Sequence, residues 1–182
     1  MIDIPAGVLA MACRGPDWSA WVDGLAVTVP DLMVQWRLRP DGAPAHGHCS
    51  LVCPVRTADG VAAVLKVAFP ERESEHEHLA LRRWNGDGSV LLRSADPHRR
   101  ALLLERLHAA DLSAVDDLAA CRIVAGIYRR IHVPALPQLR SLSSYVERWT
   151  ADLAALPRGA PLPRRLVEQA IGLGTELSND PG

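Results

Sequence analysis

Apolar positions follow two different spacings in the two halves of the chain. Leu32–Arg39 alternates apolar with polar side chains, which predicts a half-buried strand. The apolar segments Ser50–Arg56 and Val61–Phe69 predict two further strands, and the turn-forming residues Thr57–Gly60 join them. From Ser113 onward the apolar residues recur at the helical spacing of about 3.6 residues. Because the strands come first and the helices afterwards, the pattern predicts an α+β fold in two lobes.

Shorter signals fill the intervals between these segments. Trp18, Trp21 and Val22 at helical spacing predict a short helix that ends before Pro30. Pro40–Cys49 is rich in glycine and proline, so it predicts a loop. The other predicted elements are a helix from Pro70 to Trp84 that stops at Asn85, strands over Ser89–Arg93 and Ala101–Glu105, and helices that begin near a capping box at Ser113, near Ser143 and near Pro163.

Charge and composition exclude several classes of partner. The 182 residues carry a formal net charge of -1 and an isoelectric point near 6.6. That balance gives no field to attract nucleic acid or an anionic membrane surface, and neither partner is expected. The longest apolar stretches fall well short of the roughly 20 residues that a membrane span requires. Asp3 stands where a secretory signal would carry a basic residue, so the sequence predicts a cytoplasmic protein.

The cysteines predict thiols rather than a disulfide framework or a metal centre. A chain of this length does not need disulfides to build a core, and the cysteine spacings are irregular. His46 and His48 lie just before Cys49 and Cys53 and superficially suggest a zinc cluster. No second ligand pair follows at finger-like spacing, so zinc is the weaker interpretation. The thiols expected to be reduced are Cys13, Cys49, Cys53 and Cys121.

Lys66 is the residue of the chain most informative about chemistry. It interrupts an otherwise apolar predicted strand, and a buried ammonium is costly unless a carboxylate or a phosphate pairs with it. Glu77 shares one helical stripe with Leu81 and Trp84 and is the first candidate partner, with Glu73 one turn earlier as the second. Alternatively, Lys66 extends into solvent and the glutamates only favour the helix dipole. Spacing alone leaves both interpretations open.

Two further segments could contact a ligand. Gly42, Gly47 and Ser50 lie in a loop whose backbone N–H groups could approach phosphates, although a plain hairpin turn explains the same residues. The ALLLERL segment, Ala101–Leu107, ends a predicted strand at the start of the helical half. Such a junction suits a planar ligand. The alternative interpretation of this segment is a simple strand between the lobes.

Four segments follow one another in an order that resembles a known family of kinases. They are the glycine-containing hairpin, AVLKV, ESEHEHLALRRWNGDG and ALLLERL. The similarity is to the N-terminal lobe of the aminoglycoside/hydroxyurea antibiotic-resistance kinases, the streptomycin-phosphotransferase-like branch of the protein-kinase-like fold. It spans about Trp36 to Leu177, and AVLK with the helix sequence is its most specific part. The resemblance implies an antiparallel sheet plus one helix in a nucleotide-binding N-lobe with its hinge, residues 1–107, and a partial helical C-lobe, residues 108–182.

The same resemblance implies a role for individual residues in binding ATP. Lys66 would contact the α- and β-phosphates, and Glu77 would hold Lys66 in place. The Gly47–Ser50 segment would cover the phosphates, and the backbone around the end of the last strand would receive the adenine. The residues assigned to nucleotide binding are Lys66, Glu77, Gly47, Ser50, Leu104, Glu105 and Leu107.

The 182 residues depart from the family pattern in one respect. Members of the family carry a His-Gly-Asp catalytic loop followed by magnesium ligands, and this chain reads ELSNDPG where that loop should begin. The sequence therefore predicts a truncated, inactive chain without a catalytic residue or a metal ligand, with Mg²⁺ and a small-molecule alcohol or aminoglycoside acceptor expected only in a full-length form. The alternatives are a non-catalytic nucleotide-binding module and a structural interaction partner, and self-association is expected from exposed apolar surface.

Overall fold

The structure is a computed structural model that describes residues 3–179, and it divides into two compact units. The first unit comprises Met1–Pro134 and the second Ala135–Gly182. The helix of residues 117–131 therefore groups with the sheet. The predicted division into a nucleotide-binding N-lobe of residues 1–107 and a partial C-lobe of residues 108–182 stays a prediction. No helix among residues 3–179 is long and apolar enough to cross a membrane.

Helices precede the sheet in the first unit. They are α1 (Ala6–Leu9), a 3₁₀ turn (Ala10–Arg14) and α2 (Pro16–Gln35). The prediction of a strand over Leu32–Arg39 is wrong, because α2 continues through Pro30 to Gln35. The reason is a buried helical stripe whose spacing overrides the local alternation, while Val34 is 79% exposed. The buried residues of α2 are Val22, Leu25, Val29 and Leu32.

An antiparallel sheet of six strands follows. The strands pair in the order β1-β3-β4-β6-β5, and β2 pairs with β3. The predicted strands at residues 50–56 and 101–105 are confirmed, as is the third strand over most of its range. The strand predicted over Ser89–Arg93 lies three residues later in the structure. The strands are β1 (Arg39–Pro40), β2 (Ala45–His46), β3 (Ser50–Arg56), β4 (Ala62–Ala68), β5 (Leu92–Asp96) and β6 (Ala101–Glu105).

The two faces of the sheet contribute to separate apolar clusters. Alternate residues of β3, β4 and β6, among them Leu51, Leu65 and Leu103, pack in one core with the buried stripe of α2. On the other face, Leu102 and Leu104 pack with the helix that follows β4. Lys66 belongs to this second face because it alternates with Leu65 along β4. The second face therefore carries both this lysine and the apolar residues that pack against the helix.

Helix α3 (Glu77–Trp84) packs on the second face through Leu81. It begins later than the predicted start at Pro70, because the Ser74 hydroxyl donates to the carbonyls of Phe69 and Glu71 and holds a turn. The helix ends at Asn85, whose left-handed φ of 49° forms the expected stop.

Helix α4 (Asp117–Ile131) completes the first unit. Its N-cap is Asp116, which accepts from the N–H groups of Leu118 and Ala119, so the predicted capping box at Ser113 is wrong. Ser113 belongs instead to the preceding 3₁₀ turn. The Trp84 indole donates to the carbonyl of Ile131 at 2.9 Å and ties α3 to the end of α4.

Between residues 135 and 179 the second unit contains two helices, α5 (Leu142–Ala154) and α6 (Arg164–Asn179), close to the starts predicted at Ser143 and Pro163. Gly174 is buried, and a Cβ there would collide with the Thr150 side chain. The glycine therefore allows the two helices to approach closely. Leucines along α6 remain largely exposed: Leu166, Leu173 and Leu177.

Candidate functional site

An ion pair between β4 and α3 forms the centre of the candidate site. Lys66 Nζ lies 2.6 Å from Glu77 Oε1. The two side chains are 26% and 30% exposed, so the pair is partly withdrawn from water and still within reach of a ligand. The sequence left open whether Lys66 would pair or extend into solvent. The structure contains the pair, and the first of the two candidate glutamates supplies the carboxylate.

The place of Lys66 in the sheet explains why its ammonium takes a partner. Its register neighbours are Val52 on β3 and Leu102 on β6, so the side chain crosses an apolar surface. The carboxylate compensates the loss of hydration there and occupies one of the three N–H donors of the ammonium. The remaining donors can serve an anionic ligand. Lys66 is also the one lysine among the 20 lysine and arginine residues of the chain.

The predicted phosphate loop is a tight turn between β2 and β3. The Gly47 N–H donates to the Ser50 carbonyl at 2.9 Å, and a Cβ on Gly47 would lie 2.8 Å from Ser50 Oγ. Ser50 is 5% exposed and pairs with Ala68 at the end of β4. Arg14 donates to the His48 carbonyl at 2.8 Å, so the N-terminal segment holds the tip of the turn. Both candidate loop residues therefore shape a backbone turn two residues along β4 from Lys66.

Cys49 lies in this turn and close to the ion pair. Burial raises the pKa of the Cys49 thiol to about 11, and a hydrogen bond to Glu71 and the charges of Glu71 and Glu77 act in the same direction, against the opposing charge of Lys66. The thiol is therefore protonated at neutral pH. Burial alone raises the pKa of Cys53 to about 11. Within residues 3–179 no three His, Cys, Asp or Glu side chains are grouped to hold a metal ion.

The raised pKa of Cys49 predicts slow alkylation. At about pH 8 a thiol with a pKa near 11 holds about a hundredfold less thiolate than an ordinary thiol, and the thiolate is the nucleophile. Iodoacetamide labelling followed by peptide mass spectrometry should modify the exposed Cys13 and Cys121 well before Cys49. Glu71→Gln should accelerate the labelling of Cys49 and leave the labelling rate of Cys13 unchanged. Labelling of Cys49 as fast as Cys13 in the unsubstituted chain would contradict this electrostatic description.

The end of β6 contains the residues predicted to receive the base. Leu104 is buried against Leu81 and Leu102. The carboxylate of Glu105 accepts from the Leu91 N–H at 2.7 Å, and the Glu105 N–H donates to the Leu91 carbonyl at 3.0 Å. Leu107 is 64% exposed. Leu104 thus belongs to the apolar cluster on the second sheet face, whereas Leu107 begins an exposed segment of backbone.

Arg106 is a residue of this segment that sequence reasoning missed. Its guanidinium donates to the Val55 carbonyl at 2.8 Å, to the Ala63 carbonyl at 3.2 Å and to Asp41 Oδ2 at 2.8 Å. The hydrogen bond from Arg106 first, and the contacts with Arg56 as well, hold the pKa of Asp41 below its usual value against the opposing effect of desolvation. Asp41 lies 65 residues away from Arg106, so no local spacing could have paired them.

His108 and His132 are exposed, and the His132 ring stacks on Tyr128 with centroids 5.2 Å apart. Asp180, in the ELSNDPG segment, lies outside the described residues. The site residues that share the second sheet face are Ser50, Lys66 and Leu104, with Glu77 reaching it from α3.

An antiparallel sheet whose lysine pairs with a glutamate of the following helix is the arrangement of a protein-kinase-like fold. The family model described as aminoglycoside/hydroxyurea antibiotic resistance kinase matches residues 35–179, and the chain belongs to that family. This confirms the resemblance inferred from the AVLK and helix sequences.

Three curated relatives agree with this assignment. Streptomycin 6-kinase of Streptomyces glaucescens is 38% identical across the whole chain, and that of Streptomyces griseus is 39% identical over 78% of it. Hydroxyurea phosphotransferase of Kitasatospora aureofaciens is 34% identical across the whole chain. The alignments cover 62%, 48% and 56% of these relatives, so the chain spans about half to three fifths of their length.

Proposed function

We propose that this chain supplies the nucleotide-binding part of an ATP-dependent phosphotransferase whose acceptor is the alcohol group of a small molecule. The observation that carries the proposal is the Lys66–Glu77 ion pair at 2.6 Å, beside a glycine-containing turn and on an otherwise apolar sheet face. A cation that is fixed by a carboxylate and still partly exposed is suited to bind a phosphate chain.

In the proposed complex, three parts of the site act on the nucleotide. The Lys66 ammonium neutralises charge on the phosphates while Glu77 fixes its direction. Backbone N–H groups of Gly47–Ser50 approach the phosphates closely because Gly47 lacks a side chain. The base lies against Leu104 and hydrogen bonds with the backbone around Glu105 and Leu107. Kinases of this type use Mg²⁺ to neutralise the transferred group, but the described residues offer no fitting ligand set, so no step is assigned to the metal.

The choice of a proposed acceptor rests on the relatives and not on residues of this chain. Streptomycin 6-kinase and hydroxyurea phosphotransferase are named for an aminoglycoside and a hydroxyurea acceptor. We propose an aminoglycoside-like alcohol as the acceptor and antibiotic resistance as the biological role. A cytoplasmic location, where ATP is available, belongs to the same proposal.

A second proposal is that the chain by itself binds nucleotide without transferring phosphate. Every residue assigned above would serve nucleotide binding, either directly or through Lys66, and none is assigned as a base for an acceptor hydroxyl. Release of ADP by this chain in the presence of streptomycin would contradict the second proposal, which predicts no turnover. The exposed leucines of α6 also favour self-association, which sedimentation over a range of concentrations would detect.

ATP binding is tested by thermal unfolding. ATP with Mg²⁺ at about a hundred times its dissociation constant should stabilise the chain by about 2.7 kcal/mol and raise its melting temperature. Adenosine, which lacks the phosphates, should raise the melting temperature much less because it cannot contact Lys66. An unchanged melting temperature at saturating ATP would contradict the proposed function.

A further inference from the structure

We propose that Asp41 and Arg106 form a clamp that positions the base-binding backbone at the end of β6. The inference rests on the proposed function, because it concerns how the same site would recognise the nucleobase of ATP. Arg106 and Asp41 are positioning residues in this account. Their side chains act through the backbone on either side of Arg106 and not by contact with the nucleotide.

The contacts of Arg106 connect the end of β6 to two other strands. Its guanidinium reaches the Val55 carbonyl on β3 and the Ala63 carbonyl on β4 at 2.8 and 3.2 Å. Asp41 Oδ2 accepts a third hydrogen bond from it at 2.8 Å. A guanidinium presents its donors in a rigid plane, so several simultaneous acceptors fix its position. The backbone of Arg106 is therefore held relative to the strands that carry the rest of the site.

The carboxylate of the clamp is itself fixed. The Asp41 N–H donates to the Pro54 carbonyl at 2.9 Å, which anchors Asp41 to β3. Arg56 Nε lies 3.2 Å from the same carboxylate oxygen, and the Arg56 guanidinium also donates to the Gly60 carbonyl at 2.9 Å, in the turn between β3 and β4. Arg56 therefore offers a matched control, because its removal takes a cation from Asp41 and leaves the connection to Arg106.

Glu105 holds the neighbouring backbone from the opposite direction. Its carboxylate accepts from the Leu91 N–H at 2.7 Å, while Arg106 reaches towards β3 and β4. Two consecutive side chains thus restrain the segment that precedes the exposed Leu107. A backbone that is already ordered loses less conformational entropy when a ligand binds. The clamp should therefore raise affinity for the base in particular.

The clamp and the phosphate-binding group lie at different points of β4. Ala63, which accepts from Arg106, precedes Lys66 by three residues, or about 10 Å along an extended strand. Loss of the clamp should therefore disturb recognition of the base and leave the ammonium and the Gly47–Ser50 turn in place. This separation gives a readout that a general loss of stability would not produce.

Isothermal titration with two ligands tests the proposal: ATP, and inorganic tripolyphosphate, which has phosphates and no base. Asp41→Asn should weaken ATP binding several-fold and Arg106→Ala about tenfold, and tripolyphosphate binding should stay within about twofold in both variants. Asp41→Asn keeps the bonds of Arg106 to the two carbonyls and serves if Arg106→Ala does not fold. Arg106→Lys keeps the positive charge without the planar guanidinium, so its ATP affinity should lie between those of the unsubstituted chain and Arg106→Ala. Arg56→Ala should bind both ligands normally.

The outcomes separate the clamp from the proposed function. ATP binding that is unchanged in both clamp variants, or equal losses for ATP and tripolyphosphate, would overturn the clamp and leave the proposed function standing. Failure of the unsubstituted chain to bind either ligand would remove the proposed function and the clamp with it. A selective loss for ATP, absent in Arg56→Ala, supports both.

Discussion

Replacing Lys66 with alanine should weaken ATP binding by about tenfold to a hundredfold, the loss expected for one charge-assisted phosphate contact. The ammonium is the cation that Glu77 holds at 2.6 Å on the second face of the sheet. Lys66→Ala would remove the proposed phosphate contact and leave Glu77 as a partly buried carboxylate that repels the phosphates. Isothermal titration of ATP into the two proteins measures the difference.

Two variants decide whether the loss belongs to this site. Glu77→Gln keeps the cation and removes its anchor, so ATP affinity should fall by less than in Lys66→Ala. Arg93→Ala removes one positive charge from an exposed position on β5 and should leave ATP affinity unchanged within about twofold. Equal losses in Lys66→Ala and Arg93→Ala would reduce the effect to net charge and contradict the assigned role.

The second large effect concerns stability. Leu32→Ala should lower the free energy of unfolding by about 2–5 kcal/mol, because Leu32 is fully buried in the core that α2 shares with the sheet. Alanine favours helices at least as well as leucine, so lost packing and not helix propensity would account for the change. Urea denaturation of the two proteins gives the difference directly.

Val34→Ala is the matched control for this substitution. Val34 lies two residues further along α2 and is 79% exposed, so its truncation should change the free energy of unfolding by no more than about 0.5 kcal/mol. A strand over Leu32–Arg39 would instead place both side chains on one buried face. Comparable losses in both variants would therefore argue for a strand and against the helix.

The ion pair was within reach of sequence reasoning because its signals are local. A lysine in an apolar strand requires a partner, and the stripe of Glu77, Leu81 and Trp84 places one carboxylate on the face of α3 that packs on the sheet. The strands around residues 50–56, 62–68 and 101–105 were predictable for a related reason. Short apolar segments bounded by turn residues have few alternative structures.

Helix α2 was not predictable from the same kind of signal. Pro30 lacks a backbone N–H and usually ends a helix, and the alternation from Leu32 to Leu38 imitates a strand. Burial of Leu25, Val29 and Leu32 against the sheet outweighs both signals, and that packing exists only in the folded protein. Arg106 was missed for a different reason, because its carboxylate partner is 65 residues away in sequence.

Nuclear magnetic resonance of the single lysine side chain tests the central claim most directly. Lysine labelled with ¹³C at the ε carbon gives one side-chain signal, because Lys66 is the chain's only lysine. Addition of ATP should shift that signal saturably, tripolyphosphate should shift it in the same direction, and Glu77→Gln should alter its position before any ligand is added. A Lys66 signal that stays unchanged while ATP saturates the protein would place the phosphates elsewhere and contradict the account.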